Sequence, residues 1–180
     1  MTELLPFDAK RMKFEEKLRK KIREKTIDIQ ILERLSCDIL VDLSRKENVK
    51  TPILVYQVAT SYGDEKFSPK YTPMSVSLNG RPRVKISSWY EIPLKADYKK
   101  FRPLIAHQIA HEFKHYLQEI NGEYYKYSLL SETDKNIIEG EANFYAGRYS
   151  GIWDDENYRL RADAIKIIKR EFEVQIELEN

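Results

Sequence analysis

The strongest constraint on this chain is the stretch 103–120, PLIAHQIAHEFKHYLQEI. Ala106, Ala110, Phe113, Leu117 and Ile120 fall on one row at helical spacing, and Ile105, Ile109 and Tyr116 on another. A helix apolar around so much of its circumference belongs at the centre of a fold, not on its surface. Pro103 suits the first helical position, and Asn121-Gly122 provides the stop. Into this helix the chain places all three of its histidines, His107, His111 and His115. Polar side chains in such a setting need partners.

A metal ion is the partner that the spacing suggests. A zinc-bound nitrogen lies about 2.0–2.1 Å from the ion, so two ligands of one ion lie within ~4 Å of each other. His107 and His115 are separated by a rise of about 12 Å and cannot share an ion. Neighbours four apart stack on one face and can. The pair His107/His111 encloses Gln108, which cannot act as a base. The pair His111/His115 encloses Glu112 and reads H-E-x-x-H. In that arrangement zinc acidifies a water and Glu112 takes its proton, as a zinc hydrolase requires. His107 is then a core or supporting residue one turn before the site, or a cleft residue.

A catalytic zinc takes a third protein ligand. No histidine remains and Cys37 lies far upstream, so a carboxylate from IIEGEANFYAGRY (137–149) is expected. On a helix over 132–149, Glu141 shares a stripe with Ile137, Ile138, Phe144 and Tyr145, and Glu139 points about 200° away. An acid inside an apolar stripe is costly unless paired or metal-bound. Glu141 is therefore the expected ligand and Glu139 the alternative.

The rest of the chain frames this site. Residues 8–25 read as a polar helix with nine basic residues, interrupted by Glu15, Glu16 and Glu24, which fits a solvated face. A second helix, 28–46, turns Leu32, Leu35, Ile39 and Leu43 inward, with Cys37 beside them as a small buried hydrophobe. TPILVYQVAT, PMSVSL and PRVKISSWY are short and bounded by Pro, Gly and Asn, so three strands are expected before the central helix. Ser131-Glu132-Thr133-Asp134 starts the next helix, which Gly151 stops. Asp154-Asp155-Glu156 opens a further one, with Tyr158, Ala162, Ile165 and Ile168 inward. The end, EFEVQIELE (171–179), alternates strictly and reads as a strand. The organisation implied is α+β: a helical segment 1–50 and a catalytic domain 51–180, or both in one compact unit.

Charge and cysteine usage narrow the function classes. The 31 basic and 29 acidic residues nearly cancel, and a net +2 argues against nucleic acid and membrane as partners. One cysteine excludes an internal disulfide framework. No apolar leader follows MTELLPFDAK and no apolar run approaches roughly 18 residues, so a soluble, cytoplasmic protein is expected.

HEFKH, followed 26 residues later by Glu141-Ala142-Asn143, resembles the gluzincin clan of zinc metallopeptidases. It is most similar to the archaeal minigluzincins and more distantly to the ImmA/IrrE-type proteases, over roughly residues 52–150. The resemblance implies a zincin-like fold: a small twisted, mostly antiparallel sheet on an active-site helix, then a glutamate helix, with additional N- and C-terminal helices. It implies one catalytic Zn2+ on His111, His115 and Glu141, Glu112 as general base, and a peptide or protein substrate. It also implies that strand 84–89 borders the cleft and pairs with extended substrate. Tyr145 stands where many gluzincins carry an acid four residues after the glutamate. Among Tyr145, Arg148 and Tyr149, Tyr149 is the preferred stabiliser of the oxyanion. Minigluzincins can be held inactive by their own terminal segments, and the alternating tail 171–179 or the segment 1–25 are the candidates here. The rival reading is a non-catalytic zinc-binding regulator that grips a partner through residues 1–50.

Overall fold

A computed structural model describes residues 28–57, 68–74, 80–123 and 129–177. The order is α1 (Gln30–Lys46), β1 (Ile53–Gln57), β2 (Lys70–Thr72), β3 (Arg83–Ser87), a 3-10 turn (Ser88–Tyr90), α2 (Glu91–Ala96), α3 (Tyr98–Ile120), α4 (Glu132–Ser150) and α5 (Asp154–Glu177). The fold is α+β and mostly helical. The expected helix 8–25 lies outside the described residues.

The sheet is mixed rather than mostly antiparallel. Its order is β1-β3-β2, with β1 parallel to β3 in the register Ile53 to Arg83, and β2 antiparallel to β3 in the register Lys70 to Lys85. Pairing direction depends on which strands meet, and local alternation carries no information about that. The middle strand was expected over 73–78. The described strand of this region is β2 at 70–72, and of the expected strand only Pro73 and Met74, both outside the ladder, lie among the described residues. The Met74 amide donates instead to the Glu119 carboxylate, at 3.0 and 3.1 Å. Residues 75–79 lie outside the described residues.

Val84 and Ile86 of β3 point into the core, and the Lys85 between them is half-buried. The strand stops at Ser87, whose hydroxyl accepts from the Trp89 amide and turns the chain into helix. The expected strand therefore ends before Trp89. β3 also has a neighbour on each side, so it offers no edge for an added strand. Among the described residues the edges belong to β1 and β2.

The core is continuous. Leu32, Leu35, Ile39 and Leu43 of α1, Val84 and Ile86 of the sheet, Leu104, Ile109 and Phe113 of α3, and Leu160, Ala164 and Ile168 of α5 form one cluster. Cys37 is exposed, one step off the inward stripe of α1. No side chain at Ile29 caps α1. The fully buried Glu91 does so from α2, accepting from the Leu32 amide at 2.6 Å and the Ile31 amide at 3.3 Å. Lys95 lies 3.4 Å from the same carboxylate. A buried charge is tolerated when it is paired in this way.

α3 begins at Tyr98, not Pro103. Asp97 is the cap, its side chain accepting from the Lys100 amide at 3.0 Å, and the helix runs through Pro103 at the loss of one backbone hydrogen bond. At the far end Gly122 takes φ +80°, as a left-handed stop requires. α4 starts on the Ser131 cap and stops at Gly151, φ +79°, as the sequence indicates.

The alternating tail is not a strand. α5 continues through Glu177, and residues 178–180 lie outside the described residues. A helix already nucleated at Asp154 extends at little further cost, and alternation makes a strand only where a partner strand is at hand. Along α5, Leu160, Ala164 and Ile168 face inward and Tyr158 is exposed. No described helix is long and apolar enough to cross a membrane.

Candidate metal centre

α3 sets His111 and His115 one turn apart on the face turned towards α4. Their Nε2 atoms lie 3.1 Å apart. The orientation of His115 is fixed by a chain of hydrogen bonds. Gln118 Nε2 donates to the Ile138 carbonyl at 3.0 Å, which turns its Oε1 towards His115 Nδ1 at 2.9 Å. That oxygen only accepts, so Nδ1 carries the proton and Nε2 presents a lone pair. This outer hydrogen bond is what a metal-ligating histidine ordinarily has.

The carboxylate that meets this pair is Glu139. Its Oε2 lies 3.2 Å from His111 Nε2 and its Oε1 3.6 Å from His115 Nε2. One ligand atom from each of the three residues falls within 4.8 Å of the others. Glu141, the ligand expected from its stripe, turns away. Its carboxylate accepts from Gln118 Nε2 at 3.1 Å and lies 3.4 Å from the Lys114 ammonium. Glu141 thus stands behind the residue that orients His115, one step outside the cluster. The reason lies in the packing of α4. Ile138, Ala142, Ala146 and Gly147 are buried, Gly147 against the Trp153 ring, while Ile137 and Phe144 are exposed. Only part of the bulky stripe faces inward.

Glu112 is buried beside the histidines and lines the same cavity. Burial pushes its pKa up, against the opposing pull of His111 and His115. For His111, burial disfavours the cation, but the hydrogen bond it donates to Glu139 and the charges of Glu112 and Glu139 outweigh it and raise its pKa. His107 lies one turn back on the same helix, lines the cavity and stays outside the ligand cluster.

Tyr149 does not reach the cavity. It lies ten residues beyond Glu139, about 15 Å along the helix. Its hydroxyl donates to Asp42 of α1 at 3.0 Å. Tyr145 likewise donates to Glu47 at 2.9 Å, and Arg148 is exposed. The cavity, about 380 Å³, is instead closed by Asn143 of α4, by Asn157 and Arg161 of α5, and by Ser68–Tyr71. The strand that borders the cleft is therefore β2 rather than β3. Asn157 and Arg161 were missed, although a signal was there. They extend the inward stripe of Ala164 and Ile168 at helical spacing, and polar residues on such a stripe call for a partner.

The donor set fits a tetrahedral divalent ion. Ligands about 2.0–2.1 Å from a tetrahedral zinc are roughly 3.3–3.4 Å from one another. The imidazole nitrogens, 3.1 Å apart, and the 3.2 Å from His111 to one Glu139 oxygen lie near that value, and the other Glu139 oxygen lies 3.6 Å from His115. Two imidazoles and one carboxylate form the ligand type of catalytic zinc sites. No protein-family model, no curated protein and no solved structure matches this chain significantly.

Proposed function

We propose that the chain is a zinc-dependent metallopeptidase of gluzincin type, with His111, His115 and Glu139 as the metal ligands. The observation that carries this reading is the meeting of two imidazole nitrogens and one carboxylate within 4.8 Å of one another, with the buried Glu112 beside them. Zinc held there supplies Lewis acidity, which polarises a substrate carbonyl and acidifies water. The remaining roles fall to the chain. Glu112 accepts the proton of the attacking water on its carboxylate and returns it to the departing amine. Its place beside both histidines on the cavity wall suits that exchange, which needs the base within reach of the water. Gln118 holds the His115 ring through Nδ1–H, and Glu141 holds Gln118. The substrate peptide would lie beside β2, which borders the cavity. Tyr149, held by Asp42, has no part in the chemistry.

The test is metal analysis of the purified protein together with cleavage of a casein-type substrate by the wild type and by Glu112→Gln. The expected result is one zinc per chain in both, with hydrolysis about 10²–10⁴-fold slower in the variant. Unchanged turnover in Glu112→Gln overturns the assigned base. Stoichiometric zinc without cleavage by the wild type favours the non-catalytic regulator.

A further inference from the structure

β2 borders the cavity, and its residues divide their main-chain groups between two sides. In an antiparallel ladder, alternate residues turn amide and carbonyl to the partner strand, and those between turn theirs away. The ladder with β3 ends on the pair Thr72 and Arg83. Were Tyr71 the bonded residue, the bond holding Thr72 in the ladder would have to come from the amide of Pro73, which has none. The pairs that exchange hydrogen bonds are therefore Lys70 with Lys85 and Thr72 with Arg83, and the Tyr71 amide and carbonyl face the free edge. Pro69 stands before the strand, also without an N–H. The Tyr71 amide is the one donor that β2 turns away from the sheet.

That donor is already engaged. Tyr71 and Glu112 line the same cavity, and the Tyr71 main-chain amide donates to the Glu112 carboxylate. The Tyr71 side chain is buried against α3, its ring centroid 6.4 Å from that of Tyr116, and its hydroxyl donates to Glu119. The Met74 amide donates to the same Glu119 carboxylate. Glu112 and Glu119 are seven residues apart, so they share a face of α3 two turns, about 10.5 Å, from each other. Tyr71 bridges the two, with its main chain on one carboxylate and its side chain on the other.

A general base needs one oxygen aimed at its water, and the last torsion of a glutamate is broad unless something holds it. A main-chain amide is a firm holder because it moves only with its strand. We propose that the Tyr71 amide positions the general base, holding one oxygen of Glu112 so that the other meets the attacking water, and that Glu119 is the positioning residue that keeps Tyr71 in place. The inference rests on the peptidase reading for the task of the base and on the contacts of Tyr71 for its geometry. A substrate peptide beside β2 then meets the Tyr71 carbonyl, because the amide is taken.

The experiment has two arms. In the first, the Tyr71 amide proton is followed by NMR in the isotope-labelled, zinc-loaded full chain. It is expected to lie downfield and protected in the wild type. In Glu112→Ala it should move upfield and exchange at least about tenfold faster, while the Lys70 and Thr72 amides, bonded to β3, stay protected. The second arm measures cleavage of a casein-derived peptide by variants first shown to be folded. Tyr71→Phe and Glu119→Ala are each expected to lower kcat about tenfold, with KM within about twofold and zinc at one per chain. Glu119→Gln, whose amide oxygen can still accept both hydrogen bonds, should keep most of the activity. In a Glu112→Gln background the same two changes should cost nothing further, which a purely structural role does not predict. An unmoved Tyr71 amide in Glu112→Ala, unchanged kcat in both variants, a loss confined to KM, or a full further loss in the Glu112→Gln background overturns the inference. The NMR arm requires neither turnover nor a change at Tyr71 or Glu119. Wild type that does not cleave casein therefore sinks the peptidase reading, while the Tyr71 contact stands or falls by that arm.

Discussion

α3 and α4 deliver their ligands to one cluster by opposite modes of packing. α3 is enclosed by large side chains, with Phe101, Leu104, Ile109 and Phe113 essentially inaccessible. α4 shows the reverse order. Ala142, Ala146 and Gly147 face inward, and Ile137 and Phe144 face solvent at 56% and 59% exposure. The difference has a physical cause. The Glu139 carboxylate must come within hydrogen-bond reach of two imidazoles, so the helix carrying it has to approach α3 closely. Small residues permit that approach and large ones do not. Bulk marks the inward face of a surrounded helix, and smallness marks it where two helices must nearly touch.

Substitutions on the two helices sharpen this contrast. The largest expected effect belongs to Phe113→Ala, which should lose about 3–5 kcal/mol of stability in chemical denaturation, the usual cost of emptying a buried aromatic site. The same change at Phe144 should stay within about 0.5 kcal/mol. Similar losses at the two sites would break the comparison.

Gly147 offers an intermediate effect. A Cβ there would stand 2.4 Å from the Trp153 ring. Gly147→Ala should therefore destabilise by about 1–3 kcal/mol, even though alanine is the better helix former by roughly 1 kcal/mol. Adding Trp153→Ala should recover most of that loss, seen as a coupling energy in a double-mutant cycle. Strictly additive losses would mean that α4 does not rest on this contact.

The smallest effect concerns the outer side of α4. The Lys46 ammonium first, and the Tyr149 hydroxyl after it, hold the Asp42 carboxyl below its usual range, against the opposing push of partial burial. A depressed carboxylate pKa gives stability that is present above the unfolded value of about 3.9 and lost as pH falls through the folded value. Asp42→Asn should then be less stable than the wild type at pH 7, by at most about 1 kcal/mol for so exposed a pair, with the gap closing below about pH 4. A gap that widens in acid would reverse the sign of this argument.

The parts of the site carried by α3 were legible because helical periodicity alone fixes them. His111, Glu112 and His115 must share a face at their spacing, and the length of the helix excludes His107 from the same ion. What lies across from that face was not legible in the same way. Glu139 and Glu141 differ only in which side of α4 is buried, a tertiary fact that the large residues misreported. Tyr149 shares a helix with Glu139, yet lies too far along it to touch the cavity. Asn157 and Arg161 come from a helix with no motif, and only their place on the stripe of Ala164 and Ile168 pointed inward. In the sheet, short runs bounded by Pro, Gly and Asn marked β1 and β3 but not the parallel pairing between them. The tail showed the same limit. Its alternation is real in the sequence, and the helix that starts at Asp154 overrode it. A plug made of a strand at 171–179 accordingly loses its strand, and residues 1–25, the other candidate blocker, lie outside the described residues.

The central claim is that Glu139, not Glu141, completes the metal site. The measurement that tests it most directly is zinc stoichiometry, by elemental analysis after dialysis, of the wild type, Glu139→Ala and Glu141→Ala, each first shown to be folded. One zinc per chain is predicted for the wild type and for Glu141→Ala, and little or none for Glu139→Ala. Zinc retained in Glu139→Ala but lost from Glu141→Ala would contradict the account.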